Sequence, residues 1–224
     1  MKDKKKLNTR SQIVQCALKL FVEKGYSNAY VTTIANELNI STGNITFHFP
    51  TKEHVLVELV QEICAYLYEI EKRNQEKYSV PVAYFLEQAM FVSVCVENTN
   101  IKDFILAAYT HSMSLEAIRA NDTRRTMDVF REFCPKWTEA EFIQAENIVS
   151  GIEYAMHRTE NAERLSLEQR LVGSMDAIMK IYEVPEEARK SIIADVLAVD
   201  YYSEGLCAYR EFLDYLEKIY SGDF

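Results

Sequence analysis

Between Thr9 and Lys24 the apolar residues Ile13, Cys16, Ala17, Leu20 and Phe21 recur at i, i+3, i+4, i+7 and i+8. That spacing gathers them on one face of a helix and is incompatible with a strand, whose faces alternate every second residue. Gly25 follows Lys24, where a helix C-terminus favours the left-handed conformation that glycine adopts cheaply. The same period returns in Val31, Ile34, Ala35 and Leu38, and again in Val55, Leu56, Leu59, Val60 and Ile63. Only six Gly and four Pro interrupt 224 residues, too few for the many tight turns of an all-β chain. The predicted fold is all-α.

The first three predicted helices are short and closely spaced. After the second, Asn39-Ile40-Ser41 forms a tight turn, and Ser41 suits the N-cap of a third helix whose Ile45 and Phe49 face inward. Pro50 ends it, and Thr51 opens a fourth helix that runs to about Lys77, roughly 38 Å at the standard rise. This divides the chain into a small N-terminal helical domain over 1–50 and a larger helical domain over 51–224, joined by the fourth helix. Beyond Pro81 the periodicity predicts helices at about 81–97, 101–118, 122–133, 138–159, 166–183, 186–198 and 201–220. The segment Phe91 to Val96 is β-branched, but its helical flanks and the lack of a partner strand argue against a sheet.

Charge is divided unevenly. Residues 1–56 carry eight Lys/Arg against four Asp/Glu, whereas 57–224 carry 17 basic and 30 acidic groups, so the net −9 hides a basic head on an acidic body. A basic head suits a polyanionic partner, and a solvated lysine tail explains the charge equally well. The five cysteines are dispersed and include no Cys-x-x-Cys, a pattern that fits a reducing cytoplasm and neither a disulfide framework nor a zinc knuckle. The charged start, Met1 to Lys6, is followed by no apolar core of a signal peptide, and no uninterrupted apolar run reaches membrane-spanning length.

Two short helices around a tight turn, backed by a packing helix, make a helix-turn-helix, whose second short helix enters the major groove of double-stranded DNA. At the start of that helix Thr42, Gly43 and Asn44 are small and polar, so the backbone can approach base edges. Thr46, Phe47 and His48 follow, and Lys52 stands at the next helix N-terminus, where a cation and free N–H groups can meet a phosphate. The ordered set Ala17-Leu18-Lys19-Leu20-Phe21, Gly25-Tyr26, Ile34-Ala35, Ile40 to Ile45, His48-Phe49 and Lys52-Glu53 resembles the TetR family of bacterial transcriptional regulators. The resemblance covers about Thr9–Leu56. It implies that Thr42, Gly43, Asn44 and Phe47 face bases, and that Thr46, His48 and Lys52 hold phosphates. Two departures from the family pattern occur: Thr46 replaces the usual Tyr, and Ala29-Tyr30 replaces Thr-Ser or Thr-Thr. Tyr30, Thr32 or Thr33 is then expected to hold the phosphate near the second helix.

The resemblance also implies a ligand-responsive homodimer. Its effector cavity is expected around the helices at 81–97 and 101–118, with Tyr66, Tyr84, Phe91, Phe104, Tyr109, His111, Met113 and Trp137 as candidate lining. Simple core packing is the competing reading for most of these. The dimer interface is expected on the helices at 138–159 and 166–183, through stripes of Phe142, Ala145, Val149, Ile152 and Met156 and of Leu167, Leu171, Met175, Ile178 and Tyr182. Both stripes could instead be buried within one subunit. The segment 185–220 is expected to cover or extend this interface. Glu153 and His157 have metal-compatible i, i+4 spacing, but a surface hydrogen bond is the commoner outcome and no third ligand is identifiable. No metal or cofactor is expected. With no Gly-x-Ser-x-Gly elbow and no phosphate-cradling glycine loop, no enzyme is expected either. The sequence therefore predicts a cytoplasmic repressor on a pseudo-palindromic operator, released by a small molecule. The alternative is a DNA-binding architectural or protein-partner-controlled factor without a ligand.

Overall fold

The computed structural model describes residues 8–158 and 164–221, and those residues form eleven α-helices and no strand. Lys2, Lys4, Lys5 and Lys6 lie outside the described residues. The head comprises α1 (Thr9–Lys24), α2 (Val31–Leu38) and α3 (Thr42–His48), and α4 (Lys52–Gln75) leads into the body. Asn8 caps α1 by accepting from Ser11 N, and Ser41 caps α3 by accepting from Asn44 N. Between α2 and α3 the chain turns through Asn39, which is left-handed at φ 52°, while Ile40 N–H donates to Ala35 O at 3.0 Å. Asn tolerates that conformation better than other residues with a Cβ, so the tight turn has a local cause.

The body contains α5 (Val80–Glu97), α6 (Thr99–Thr110), α7 (Ser112–Phe130), α8 (Glu139–Arg158), α9 (Leu167–Ile181), α10 (Glu186–Leu197) and α11 (Tyr201–Ser221). By length and composition α5 is apolar enough to cross a membrane, but it is the central helix of the fold and most of it is buried. One apolar cluster runs from Ile13, Leu20 and Phe21 of α1 through Leu56 and Leu59 of α4 to Phe104 of α6 and Phe212 of α11. A second joins α5, α7, α8 and α9 around Phe85, Phe130, Phe142 and Tyr182. Head and body therefore share continuous packing, and α4 is not their sole connection.

Three expectations change. The helix predicted over 101–118 is two helices broken at His111, whose backbone is extended at φ −86°, ψ 127°. Ser114 makes the break tolerable by donating its hydroxyl to Ala108 O at 2.7 Å and to His111 O at 3.0 Å. The break predicted at Asn121-Asp122 does not occur, because Asp122 is buried within α7 and accepts from Arg125 one turn later. The predicted interface stripes are mostly interior to the subunit: Phe142, Ala145, Val149 and Met156 of α8 pack with Leu171, Met175, Ile178 and Tyr182. The periodicity located the apolar face correctly, but that face meets its own subunit. Of the segment 185–220, α10 covers part of that face, with Ile192 and Val196 in the same apolar cluster as Leu171 and Ile178. Helix α10 packs on α5 and α9, and α11 crosses α5 and reaches α1. The α11 crossing is close at Gly205, where an added Cβ would lie 2.4 Å from Met90 O.

Candidate nucleic-acid interface and adjoining cavity

The short core of the head fixes which side of α3 is free. Ile45 and Phe49 are buried against α1 and α4, so the opposite face, Thr42, Gly43, Asn44, Thr46 and Phe47, is exposed. Phe47 is 84% exposed, its ring edge-on to His48, and nothing in the fold accounts for an aromatic in that position. Thr46 turns its hydroxyl back to Gly43 O at 3.1 Å, and His48 is half-buried. Tyr30 is 61% exposed at the start of α2, beside exposed Thr32 and half-buried Thr33. These residues form one polar and aromatic surface.

Two cations close to this surface, Lys52 and Arg10, are already engaged. The Lys52 ammonium donates to Tyr26 O and sits 3.8 Å from the centre of the Tyr26 ring, and its partial burial lowers its pKa. Arg10 pairs with Glu58 of α4 and stacks over Phe49 at 4.9 Å. Sequence spacing places Lys52 near the reading helix but says nothing of the internal partners of either cation.

The loop between α1 and α2 is gripped by α6. Asp103 accepts from Ser27 N and from Ser27 Oγ, both at 2.7 Å, and Asn100 donates to Glu23 O at 2.7 Å and Val22 O at 3.2 Å. The α1 carbonyls left free at its C-terminus are thus capped by the body. Gly25, at φ 78°, lies so close that an added Cβ would stand 2.7 Å from Asp103 Oδ2. At the far end of α6, His111 Nδ1 lies 2.9 Å from Glu53 Oε1 and its ring meets that of Tyr26 edge-on. None of these long-range contacts was legible in the sequence.

The same α6 walls two adjoining cavities. The first, small and partly open to solvent, is enclosed by α1, α4, α5, α6 and α11, with Tyr66, Phe91 and Phe104 among an almost wholly apolar lining. The second, of similar size, shares Ile63, Leu67, Glu87, Phe91 and Ile105 with it and ends on Asp122, Arg125, Glu153 and His157, beside Tyr109. Four of the candidate lining residues therefore reach the cavities: Tyr66, Phe91, Phe104 and Tyr109. The other four line neither: Tyr84 packs between Phe85 and Phe130, Trp137 against Phe142 and Tyr182, His111 meets the head, and Met113 is exposed. The α11 residues Ala208, Tyr209 and Phe212 line the first cavity unforeseen, because periodicity shows an apolar face but not what it encloses.

The polar end is a buried ion network. Arg125 pairs with Glu71 at 2.7 Å, with Asp122 at 3.2 Å and with Glu87, and all four are nearly excluded from solvent. Burial pushes Glu87 up to about 7 despite Arg125. Glu153 accepts from Gln88 at 2.8 Å and from Tyr109 at 3.0 Å, and burial with the charge of Asp122 pushes it to about 8. Glu153 and His157, expected to form a surface pair, are both buried; desolvation lowers His157 to about 4 and keeps it neutral.

Residues 13–59, which contain this head, match the family model for bacterial regulatory proteins of the tetR family. The head is therefore similar to the N-terminal DNA-binding domain of TetR-family regulators. Over 60 residues it is 43% identical to the uncharacterized HTH-type transcriptional regulator YuxN of Bacillus subtilis, covering 27% of this chain and 19% of YuxN. Over 85 residues it is 33% identical to IcaR of Staphylococcus aureus, the HTH-type negative transcriptional regulator of the biofilm operon icaADBC, covering 37% of this chain and 46% of IcaR. The match thus spans less than half the length of these relatives. The crystal structure of the transcriptional regulator FadR from Bacillus subtilis in complex with stearoyl-CoA shares the fold, with a TM-score of 0.52 at 15% identity over 78% of this chain and 98% of FadR. The similarity in sequence is thus concentrated in the head, and the similarity of the body is one of architecture.

Proposed function

We propose that this protein is a cytoplasmic transcriptional repressor of the TetR family, without enzymatic activity, that binds a pseudo-palindromic operator as a homodimer and is released by a small molecule. The observation that carries the reading is the exposed face of α3, a small-polar and aromatic surface that the fold leaves unused. Residues 1–50 act as the DNA-binding domain and 51–224 as the effector and dimerisation domain. Thr42, Gly43, Asn44 and Phe47 read base edges, while Tyr30, Thr32, Thr33, Thr46 and His48 approach phosphates. Lys52 reaches a phosphate only by leaving Tyr26.

Dimerisation uses the outward faces of α8 and α9. There Ile143, Ile148, Gly151 and Ala155 are exposed, as is Gly173, with Ala177 and Ile181 half-buried beside it. Neither Gly151 nor Gly173 has any atom near the place of a Cβ, which leaves room for a second backbone to approach. Two reading helices would then lie about 34–36 Å apart, or a multiple of it.

The effector occupies the cavities walled by α4, α5, α6 and α11. A largely apolar molecule fits the lining, and the carboxylates at the inner end disfavour an anionic head group there. A ligand that displaces α6 pulls Asn100 and Asp103 against the α1–α2 loop, and so moves α3 relative to its partner. Because linkage is reciprocal, the effector must bind the DNA-bound dimer more weakly by the factor by which it weakens DNA binding. Sedimentation of the protein with and without an operator-length duplex tests the core of the reading. The expected result is a dimer that binds as a unit; a monomer that stays monomeric on DNA contradicts it.

A further inference from the structure

Five carboxylates are buried together in the body: Glu71, Glu87, Asp122, Glu146 and Glu153. Arg125 compensates Glu71, Glu87 and Asp122. Among the described residues no cation pairs with Glu146 or Glu153, which lie two turns apart on α8, and Arg119 donates instead to Ser150 Oγ at 2.9 Å. One oxygen from each of Asp122, Glu146 and Glu153 lies within 4.8 Å of the other two. Glu153 has its hydrogen bonds from Gln88 and Tyr109, but Glu146, only 1% exposed, has no partner for either oxygen. A second group nearby is in the same condition. The hydroxyl of Tyr84, on α5 and 1% exposed, also has no partner, and burial, with the charges of Glu153 and Glu146, holds its pKa well above the phenol range. Buried polar atoms are normally satisfied, so the unpaired oxygens of Glu146, close to those of Asp122 and Glu153, need a donor or a cation.

We propose that Asp122, Glu146 and Glu153 bind a single hard divalent cation between α7 and α8, with the Tyr84 hydroxyl at its edge. The donor set is all oxygen, which selects magnesium, calcium or manganese over thiolate- and imidazole-seeking metals. Two ligands each about 2.1–2.4 Å from one ion can stand at most about 4.2–4.8 Å apart, and the three carboxylate oxygens lie within 4.8 Å of one another. Gln88 and Tyr109 would hold Glu153 as outer-shell donors, a support commonly seen behind metal ligands. The second cavity reaches Asp122 and Glu153, and so gives the ion a route in. The site ties α7 to α8 at the inner end of the effector cavity, and it stands independently of whether the head binds DNA.

The competing account is that protons alone neutralise these carboxyls, with no cation. The test uses the full-length protein stripped with a chelator and titrated with Mn²⁺ at mildly alkaline pH, read by the loss of the free-ion paramagnetic signal and by thermal unfolding. The expected result is one saturable Mn²⁺ site per chain, displaced by Ca²⁺ or Mg²⁺, and a rise in Tm of about 5–10 °C at about hundredfold excess over Kd. Glu146→Gln keeps the shape and loses no existing partner, so it should fold and bind Mn²⁺ more than about tenfold more weakly. Asp122→Asn should weaken binding likewise. Absence of saturable Mn²⁺ binding by the wild type, or binding undiminished in Glu146→Gln, overturns the proposal.

Discussion

The head keeps its polar side chains outside, on a reading helix whose only buried residues are Ile45 and the flanking Phe49, whereas the body encloses five carboxylates and an arginine among apolar helices. In the head, a substitution on the exposed face of α3 removes no internal contact, so recognition and folding are set by different residues. In the body the same charges that shape the cavity also hold α4, α5 and α7 together, through Arg125. The contrast teaches where mutation separates function from stability and where it cannot.

The largest effect that would sharpen the contrast is at Arg125. Arg125→Met leaves Glu71, Glu87 and Asp122 buried without their cation and is expected to cost about 3–5 kcal/mol, measured by urea unfolding. A loss within the range of a surface substitution would break the claim that this network holds the body. Next is Gly205→Ala. It gains helix propensity but drives a Cβ into Met90 O, so a net loss of about 1–3 kcal/mol is expected, with no change at the head's surface. A stabilised variant would mean that the α5–α11 crossing has slack. A smaller effect is expected at the junction. Asp103→Ala removes two hydrogen bonds to Ser27 and should cost about 1–2 kcal/mol. Its diagnostic reading is functional: operator affinity is retained while effector release weakens. Unchanged release would assign transmission to α4 alone.

The same contrast explains what was legible in the sequence. The head is built from local signals: the period of Ile13 to Phe21, Gly25 after α1, Asn39 in the turn and Ser41 at the cap each act within a few residues. The exposed face of α3 follows from that pattern by elimination. The all-α body follows too, but its partners do not. Periodicity marks Phe142, Ala145 and Val149 as an apolar face without saying that Met175 and Tyr182 of the same chain cover it. Asn121-Asp122 reads as a break because Asp is a turn residue, until Arg125 and Thr126 are seen bonded to Asp122 one turn away. The cavity residues of α11, the grip of Asp103 on Ser27 and the pairing of Arg125 with Glu71 span 54 to more than 100 positions of chain. No local pattern encodes such contacts.

The central claim is that the exposed face of α3 reads bases, and Asn44 is its sharpest point. Its amide can pair in bidentate fashion with adenine N6 and N7, while Phe47 and the Thr42 methyl can pack on thymine methyl groups. No Arg or Lys lies between Ile40 and Thr51, and Arg10 is held by Glu58, so the usual bidentate guanine reader is missing from this face. Selection of binding sites from random DNA, run in parallel on the wild type and Asn44→Ala, tests this directly. The expected outcome is an A·T-rich contacted core in a symmetric site. In the variant one adenine position per half-site should lose about 1–3 kcal/mol of preference, with thermal stability and non-specific affinity unchanged. A G·C-rich palindrome, or the same site preference from Asn44→Ala as from the wild type, would contradict it.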